Sequence, residues 1–334
     1  LYYIGYHISK EPLISDTIPK GLIASKLPCI QIYLANSRRF PLPKIDLRDL
    51  QRSRSLLDTC QKNLYIHSCL LMNLAGSVDP KDPQLEMKRE RCIKLLACEL
   101  DMAAAMATDT ISSEAVANTA SFKRKTAVIV HTGSCKDRDI GIANVARSIV
   151  DVLEMVTETT TMLSKTFGAD FHKRRRLYLE NSAGEGNKLG RDVLELASMI
   201  HQVPSSYHDR IGICIDTAHS FGSGICDFDN VAEFFSEIDR LVGVGYLKMI
   251  HLNDSIARFQ ECKDRHANLG YGYIFSGEDG EMRLFRLLTE CKRRGLDMIG
   301  ESPGCTPERQ AIPGWWDYMY CCKVLDYGDE PLWS

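Results

Sequence analysis

Eight short apolar runs punctuate the chain and read as strands over residues 2–8, 29–35, 63–67, 126–131, 176–180, 211–216, 247–251 and 296–301. They lack the in–out alternation of a half-exposed sheet. Between them apolar residues recur at helical spacing: Val231, Phe234, Phe235 and Ile238 fall on one face, and so do Leu284, Leu287, Leu288 and Cys291. Continuous apolar strands separated by amphipathic helices imply a parallel sheet covered on its outer face. Eight such units predict a closed (β/α)8 TIM barrel, with residues 1–334 as a single domain. A doubly wound open sheet is the alternative, but no GxGxxG turn follows the first strand. The longest interval separates the third strand from the fourth. Within it residues 107–125 predict an insertion, projecting from the amino-terminal face because it precedes a strand. Residues 306–334, with Trp315, Trp316 and Trp333, are expected to hold the last helix and a tail along the barrel wall.

The strands end unusually. His67 closes the third, His131 the fourth, Glu180 the fifth, Asp216 the sixth, His251 the seventh and Glu301 the eighth. His219 follows Asp216 by one helical step, and Asp264 and His266 lie in the segment after the seventh strand. Taken singly, a strand-end histidine is a hydrogen-bonded core residue, and Asp216 with His219 is a helix cap. Taken together, nine ligand-type side chains at carboxyl ends have no packing reason, and only His7, His172, His201 and His208 among the histidines fall outside the pattern. In a (β/α)8 barrel those ends form the active-site face. Imidazole and carboxylate without thiolate suit zinc or manganese in a hydrolytic site. A catalytic zinc usually takes three protein ligands, so nine imply two or three ions. Such clusters clamp phosphate oxygens and activate water near neutral pH, which points to phosphodiester hydrolysis.

Composition changes this picture little. The chain has 334 residues, 44% of them hydrophobic, enough for a full core. No apolar run is long enough to span a membrane, and no basic region precedes the first strand as in a signal peptide. The formal net charge of −3 argues weakly against a nucleic-acid binder, yet a few bound divalent cations would reverse its sign. Thirteen scattered cysteines without a CxxC pair imply free thiols and a reducing intracellular compartment, nucleus or cytoplasm. The Asn253-Asp254-Ser255 sequon lies among the proposed ligands and reads as a chance match.

Three segments carry a family likeness: residues 179–190 (LENSAGEGNKLG), residues 212–219 (GICIDTAH), and residues 251–255 (HLNDS) followed by Asp264-Arg265-His266 and residues 269–274 (LGYGYI). At these residues the chain resembles endonuclease IV, the zinc-dependent apurinic/apyrimidinic (AP) endonuclease family 2. The likeness extends from residues 3–9 to residues 301–304, about nine-tenths of the chain. It implies a (β/α)8 barrel holding three zinc ions, with manganese an alternative at one of them. By motif, His67, His131 and Glu180 would hold the first ion. Glu180 would bridge to a second, held also by Asp216, His251 and Glu301. His219, Asp264 and His266 would hold the third. The resemblance further implies hydrolysis 5′ to an abasic site in double-stranded DNA, leaving a 3′-hydroxyl and a 5′-deoxyribose phosphate. Glu301, with Glu180, would serve the attacking water. 3′-Phosphodiesterase and 3′-phosphatase side activities and a monomeric state are expected with it.

The departures are specific. Residues 36–40 (NSRRF) resemble the family's loop after the second strand, so Asn36 and Arg38 are expected DNA contacts, with Arg265 on the same face. Leu70 stands where members often carry a wedging tyrosine; it is apolar and able to part base steps, but it cannot hydrogen-bond. Gly300 replaces a usual bulky residue and is expected to loosen its strand end. Basic runs at 123–125, 172–176 and 292–294 all precede strands and are expected to be solvated turns on the far face, with nuclear import the alternative role. Two other functions fit the same barrel class: a metal-dependent sugar isomerase or epimerase, and a lesion-binding protein that does not cut. The nine-ligand set and the DRH segment favour the nuclease.

Overall fold

The computed structural model describes residues 4–24, 27–76, 83–107, 126–301 and 315–325. Its eight parallel strands are β1 (Ile4–His7), β2 (Cys29–Ile32), β3 (Asn63–His67), β4 (Thr126–His131), β5 (Leu177–Glu180), β6 (Ile211–Asp216), β7 (Leu247–His251) and β10 (Asp297–Gly300). They join in the order β1-β10-β7-β6-β5-β4-β3-β2 as a closed barrel, the expected TIM fold. A two-stranded antiparallel ribbon, β8 (Asp254–Ser255) with β9 (His266–Ala267), is added after β7. The expected insertion lies, except for Ala107, outside the described residues, and so does the tail except for α10 (Trp315–Leu325).

By contact density the chain divides into two compact units. One comprises residues 8–179 and 202–212; the other comprises residues 1–7, 180–201 and 213–334. In the first unit, β2, β3 and β4 run parallel in a register that sets Ile32 beside Ile66 and His67 beside Ile129. Every residue of β2 and β3 is buried, which explains their unbroken apolar sequence. Helix α2 (Leu47–Cys60) starts at Asp46, whose carboxylate accepts the N–H of Arg48 and Asp49, and stops at Gln61 in the left-handed region. The Asp49 carboxylate in turn accepts the N–H of Ile14 and Ser15, holding the start of the short α1 (Ile14–Ile18). The chain then continues through the long α3 (Pro83–Met106), α4 (Arg138–Glu154) and α5 (Glu158–Phe167).

The basic run at 172–176 departs from the expected solvated turn. Arg175 is fully buried and grips Asp101 of α3 through Nε (3.0 Å) and Nη2 (2.7 Å). Its other donors meet the carbonyls of Val152, Leu153 and Met155 and the Thr160 hydroxyl. Four carbonyls end a helix without intrahelical partners, and here one guanidinium fork satisfies two of those of α4, Val152 and Leu153, together with that of the capping Met155. The run at 292–294 does end a helix at the surface: Arg293 and Arg294 of α9 (Gly277–Arg294) pair with Glu290, and Arg294 also with Asp239. Residues 123–125 lie outside the described residues.

In the second unit, β1, β10, β7 and β6 pair so that Tyr6 lies beside Gly300, Ile299 beside His251, and Asp216 beside His251. Its helices include α6 (Val193–His201), α8 (Val231–Leu241) and α9, with α8 packed between the other two. The expected faces of α8 and α9 are the buried ones: Val231, Phe234, Phe235 and Ile238, then Leu284, Leu287, Leu288 and Cys291. Gly300 does not loosen its strand. A Cβ there would sit 2.6 Å from the buried Tyr6 ring, so the tyrosine fills the space a larger residue would take. The cysteines of the described residues are all free, and no helix among them is long and apolar enough to cross a membrane.

Candidate metal centre

Strand register assembles the carboxylate-rich half of the site. Because Asp216 and His251 are level, and Tyr6 is level with Gly300, the next residues His7 and Glu301 also meet; Nδ1 and Oε1 are 3.7 Å apart. His251 Nδ1 lies 3.1 Å from Glu180 Oε1 and 3.2 Å from Glu301 Oε2. Asp216 caps the short α7 (Thr217–Ser223) by accepting the N–H of His219 at 2.7 Å, which turns that imidazole back over the strand end. The ribbon β8–β9 then brings His266 in, its Nε2 3.6 Å from Asp216 Oδ2 and 3.4 Å from Asp264 Oδ1. Asp264 Oδ1 is also 3.2 Å from His219 Nε2.

Two ligand groups result. In each, the donor atoms of the members lie within 4.8 Å of one another: Asp216, His219 and His266 in one, and Glu180, Asp216, His251 and Glu301 in the other. They share Asp216. The donor chemistry fits a divalent cation. His219 Nδ1 is 2.9 Å from the Asn181 carbonyl, and a hydrogen bond there leaves Nε2 for a ligand. Asn253 donates to Asp216 Oδ2 (2.6 Å) and accepts the N–H of Glu301 (2.8 Å).

Charge is out of balance here. Glu180, Asp216 and His251 are almost wholly buried, and four carboxylates share the site with four imidazoles, which carry charge only when protonated. Burial alone would favour a neutral His219, but Asp216, Asp264 and Glu180 outweigh it and push its pKa up to about 10. His251 is likewise held well above the ordinary range: burial opposes the shift, and Cys214, Glu301 and Glu180 overcome it. Asp264 is buried enough to favour its acid form, yet His219, His266 and Lys188 hold it well below the usual carboxylate range. Protons stand where cations of higher charge would balance the cluster better.

In the other unit, His67 and His131 stand edge to face with ring centroids 5.3 Å apart. His67 Nδ1 is 2.7 Å from the Ser68 carbonyl, and the Ser68 hydroxyl donates to Glu99 at 2.5 Å. Glu99 is buried on α3, and burial pushes its carboxyl up to about 8 against the opposing effects of Ser68 and His67. Asn36 and Arg38 are exposed, and Asn36 Oδ1 accepts the Arg38 N–H (2.9 Å), so Asn36 shapes the turn that presents the arginine. Leu70 is 38% exposed and its N–H bonds to the Ser37 carbonyl, tying its turn to the same loop. Arg265 is exposed beside His266.

Residues 24–303 match the family described as a xylose isomerase-like TIM barrel. A Chloroflexus aggregans protein named "Probable endonuclease 4" is 30% identical over 303 residues, 90% of each chain. The chain belongs to the endonuclease IV family. The crystal structure of endonuclease IV from Thermus thermophilus superposes with a TM-score of 0.72 at 23% identity, covering 98% of this chain and 100% of that one. A D-tagatose 3-epimerase-like protein shares the fold at a TM-score of 0.58 and 16% identity, covering 97% and 98%.

For this endonuclease IV family chain, sequence reasoning missed the supporting residues. Asn181 and Asn253 carry no ligand signal of their own, but Asn181 directly follows Glu180 and Asn253 lies two residues after His251. Asp254 accepts the N–H groups of Gly270 (3.0 Å), Gly272 (3.1 Å) and Ile274 (2.9 Å), which explains the LGYGYI segment as a loop wound around a buried carboxylate. At Gly272 a Cβ would lie 2.3 Å from Asp254 Oδ1, so only glycine fits that approach. Glu185 accepts the N–H of Asp264 (3.0 Å) and pairs with Lys188 (2.7 Å), linking the residue 179–190 segment to the DRH segment.

Proposed function

We propose that this protein is a zinc-dependent AP endonuclease that hydrolyses the phosphodiester 5′ to abasic sites in double-stranded DNA. The observation that carries the reading is the pair of ligand groups sharing Asp216, since a single ion has no use for so many donors. His67, His131 and Glu180 would hold one zinc; Glu180, Asp216, His251 and Glu301 a second; His219, Asp264 and His266 a third, with manganese able to replace one. Bound there, the ions would lower the pKa of water and neutralise charge developing on the phosphoryl oxygens. Glu301 then orients the attacking water and takes its proton, its backbone fixed by Asn253 and its carboxylate 3.2 Å from His251 Nδ1. Glu180, held between His251 and His219 at 3.1 and 3.4 Å, keeps the two ligand groups at one spacing. Asn36, Arg38, Leu70 and Arg265 are the proposed DNA contacts, arginines meeting phosphates and Leu70 entering between base steps. The products are a 3′-hydroxyl and a 5′-deoxyribose phosphate, with removal of 3′-blocking groups as a side activity, carried out by a monomeric single-domain barrel.

The barrel also supports sugar isomerases and epimerases, whose chemistry manages with fewer and mostly acidic ligands; the histidine-rich set favours the nuclease. The test is a labelled duplex bearing one tetrahydrofuran abasic analogue, which resists β-elimination. Incision 5′ to the analogue that leaves an extendable 3′-hydroxyl and disappears after chelation is the expected result. An intact duplex with zinc fully loaded would overturn the reading.

A further inference from the structure

Beyond the metal cluster, the second unit carries a partly exposed aromatic surface. Tyr271 is 62% and Tyr273 50% exposed, and the Tyr271 ring lies 5.1 Å from that of Trp316, itself 38% exposed. Large rings left together in water mark interaction sites more often than chance. This set is held rigidly. Asp254 winds the loop, as described above. Helix α10 is stapled to the same loop by three side chains. Trp316 Nε1 donates to the Leu269 carbonyl (3.0 Å), Asp317 accepts the Leu269 N–H (2.7 Å), and the Tyr320 hydroxyl donates to the Phe275 carbonyl (2.7 Å).

Cations accompany the rings. The Arg258 guanidinium lies 5.7 Å from the Tyr273 ring centroid, and Arg265 is exposed immediately before β9. Among the described residues neither guanidinium is bridged to a carboxylate, unlike Lys263, which pairs with Glu261. Backbone bonds tie the parts together: Ile256 N–H to the Arg265 carbonyl (3.0 Å) and Tyr273 N–H to the Ser255 carbonyl (2.8 Å). The ligand His266 lies on that same ribbon. Exposed rings interleaved with arginines that form no direct ion pair match one kind of polymer, which alternates flat π-faces with negative charge: a nucleic-acid strand whose bases are unstacked.

We propose that Tyr271 and Trp316 form a stacking platform for an unpaired base of the DNA substrate, while Arg258 and Arg265 meet its flanking phosphates. The proposal rests on the endonuclease reading and adds to it a preference for duplexes whose bases beside the lesion are already unpaired. Leu70, lacking a ring, supplies no stacking of its own.

The test uses metal-loaded protein carrying Trp315→Phe and Trp333→Phe, which leaves Trp316 the sole tryptophan. It is titrated with the tetrahydrofuran duplex, fully paired or with one unpaired nucleotide beside the lesion, and incision is followed in parallel. Quenching of Trp316 emission, stronger with the unpaired nucleotide, is expected. Tyr271→Ala should weaken binding by about 5- to 150-fold, the range for losing one base–aromatic stack, and Tyr271→Phe should restore it. Incision with Trp316 unquenched and the Tyr271→Ala affinity unchanged would overturn the platform alone. Quenching and binding without incision would support the platform and sink the endonuclease reading. Neither binding nor incision would overturn both.

Discussion

Two buried ionic clusters in this molecule look alike at first and are built on opposite plans. Around Arg175, one guanidinium faces one carboxylate, every donor has an acceptor, and the charges cancel. Around Asp216, the carboxylates face mainly imidazoles, which are cationic only when protonated, and His219 and His251 hold protons far above their ordinary range. A buried set that balances itself closes a helix end against a strand and needs nothing further. A set that balances itself only by holding protons, at the carboxyl ends of barrel strands, is prepared for something that arrives later. Burial and pairing alone do not separate the two; charge balance does.

The comparison breaks most sharply if the clusters respond alike to loss of one member. Glu301→Gln or Glu180→Gln should lower incision roughly 10³-fold or more, since general-base and positioning contributions of that size are ordinary, while circular dichroism and thermal unfolding change little. Near-normal incision by either purified variant would remove the proposed mechanism. Arg175→Met should do the reverse, costing about 3–5 kcal/mol by stranding Asp101 in the interior, with bound zinc per folded chain unchanged. Adding Asp101→Leu should recover most of that loss, because an apolar pair replaces a buried ion pair at little cost; chemical denaturation of the single and double variants measures it.

A third difference concerns pH. In the metal-free protein His219 is raised to about 10, against about 6.5 in the unfolded chain. A raised histidine contributes stability that is complete below the unfolded value and is lost as pH climbs through the folded one. The urea midpoint of metal-free protein should therefore fall between about pH 6.5 and 10, and zinc should flatten that fall by taking the protons' place. An equally steep fall with zinc bound would mean that the histidines are not its ligands.

Much of this was legible in the chain. Eight apolar runs and two helical faces foretold the strands and the buried sides of α8 and α9, because a sheet covered on its outer face leaves little choice of residue. The positions of His251, Asp216 and Glu301 followed from strand ends alone. Arg175 was not legible: in sequence it is one basic residue among four, and only the end of α4 and Asp101, 74 positions away, make it a core residue. Gly300 was misread for a related reason, since the residue filling its space is Tyr6, almost the whole chain away. The asparagines were silent because an amide that orients a ligand has no spacing rule of its own.

The buried Asn253 has a consequence for how the chain must be made. Its side chain bonds at once to Asp216 and to the backbone of Glu301, and Asn253, Asp254 and Ser255 are all completely enclosed. A sugar attached to that amide during synthesis, before the ribbon closed, would occupy the space the ligand network needs. The fold and a glycan at this sequon exclude each other, so the mature protein is one whose nascent chain escaped oligosaccharide transfer there.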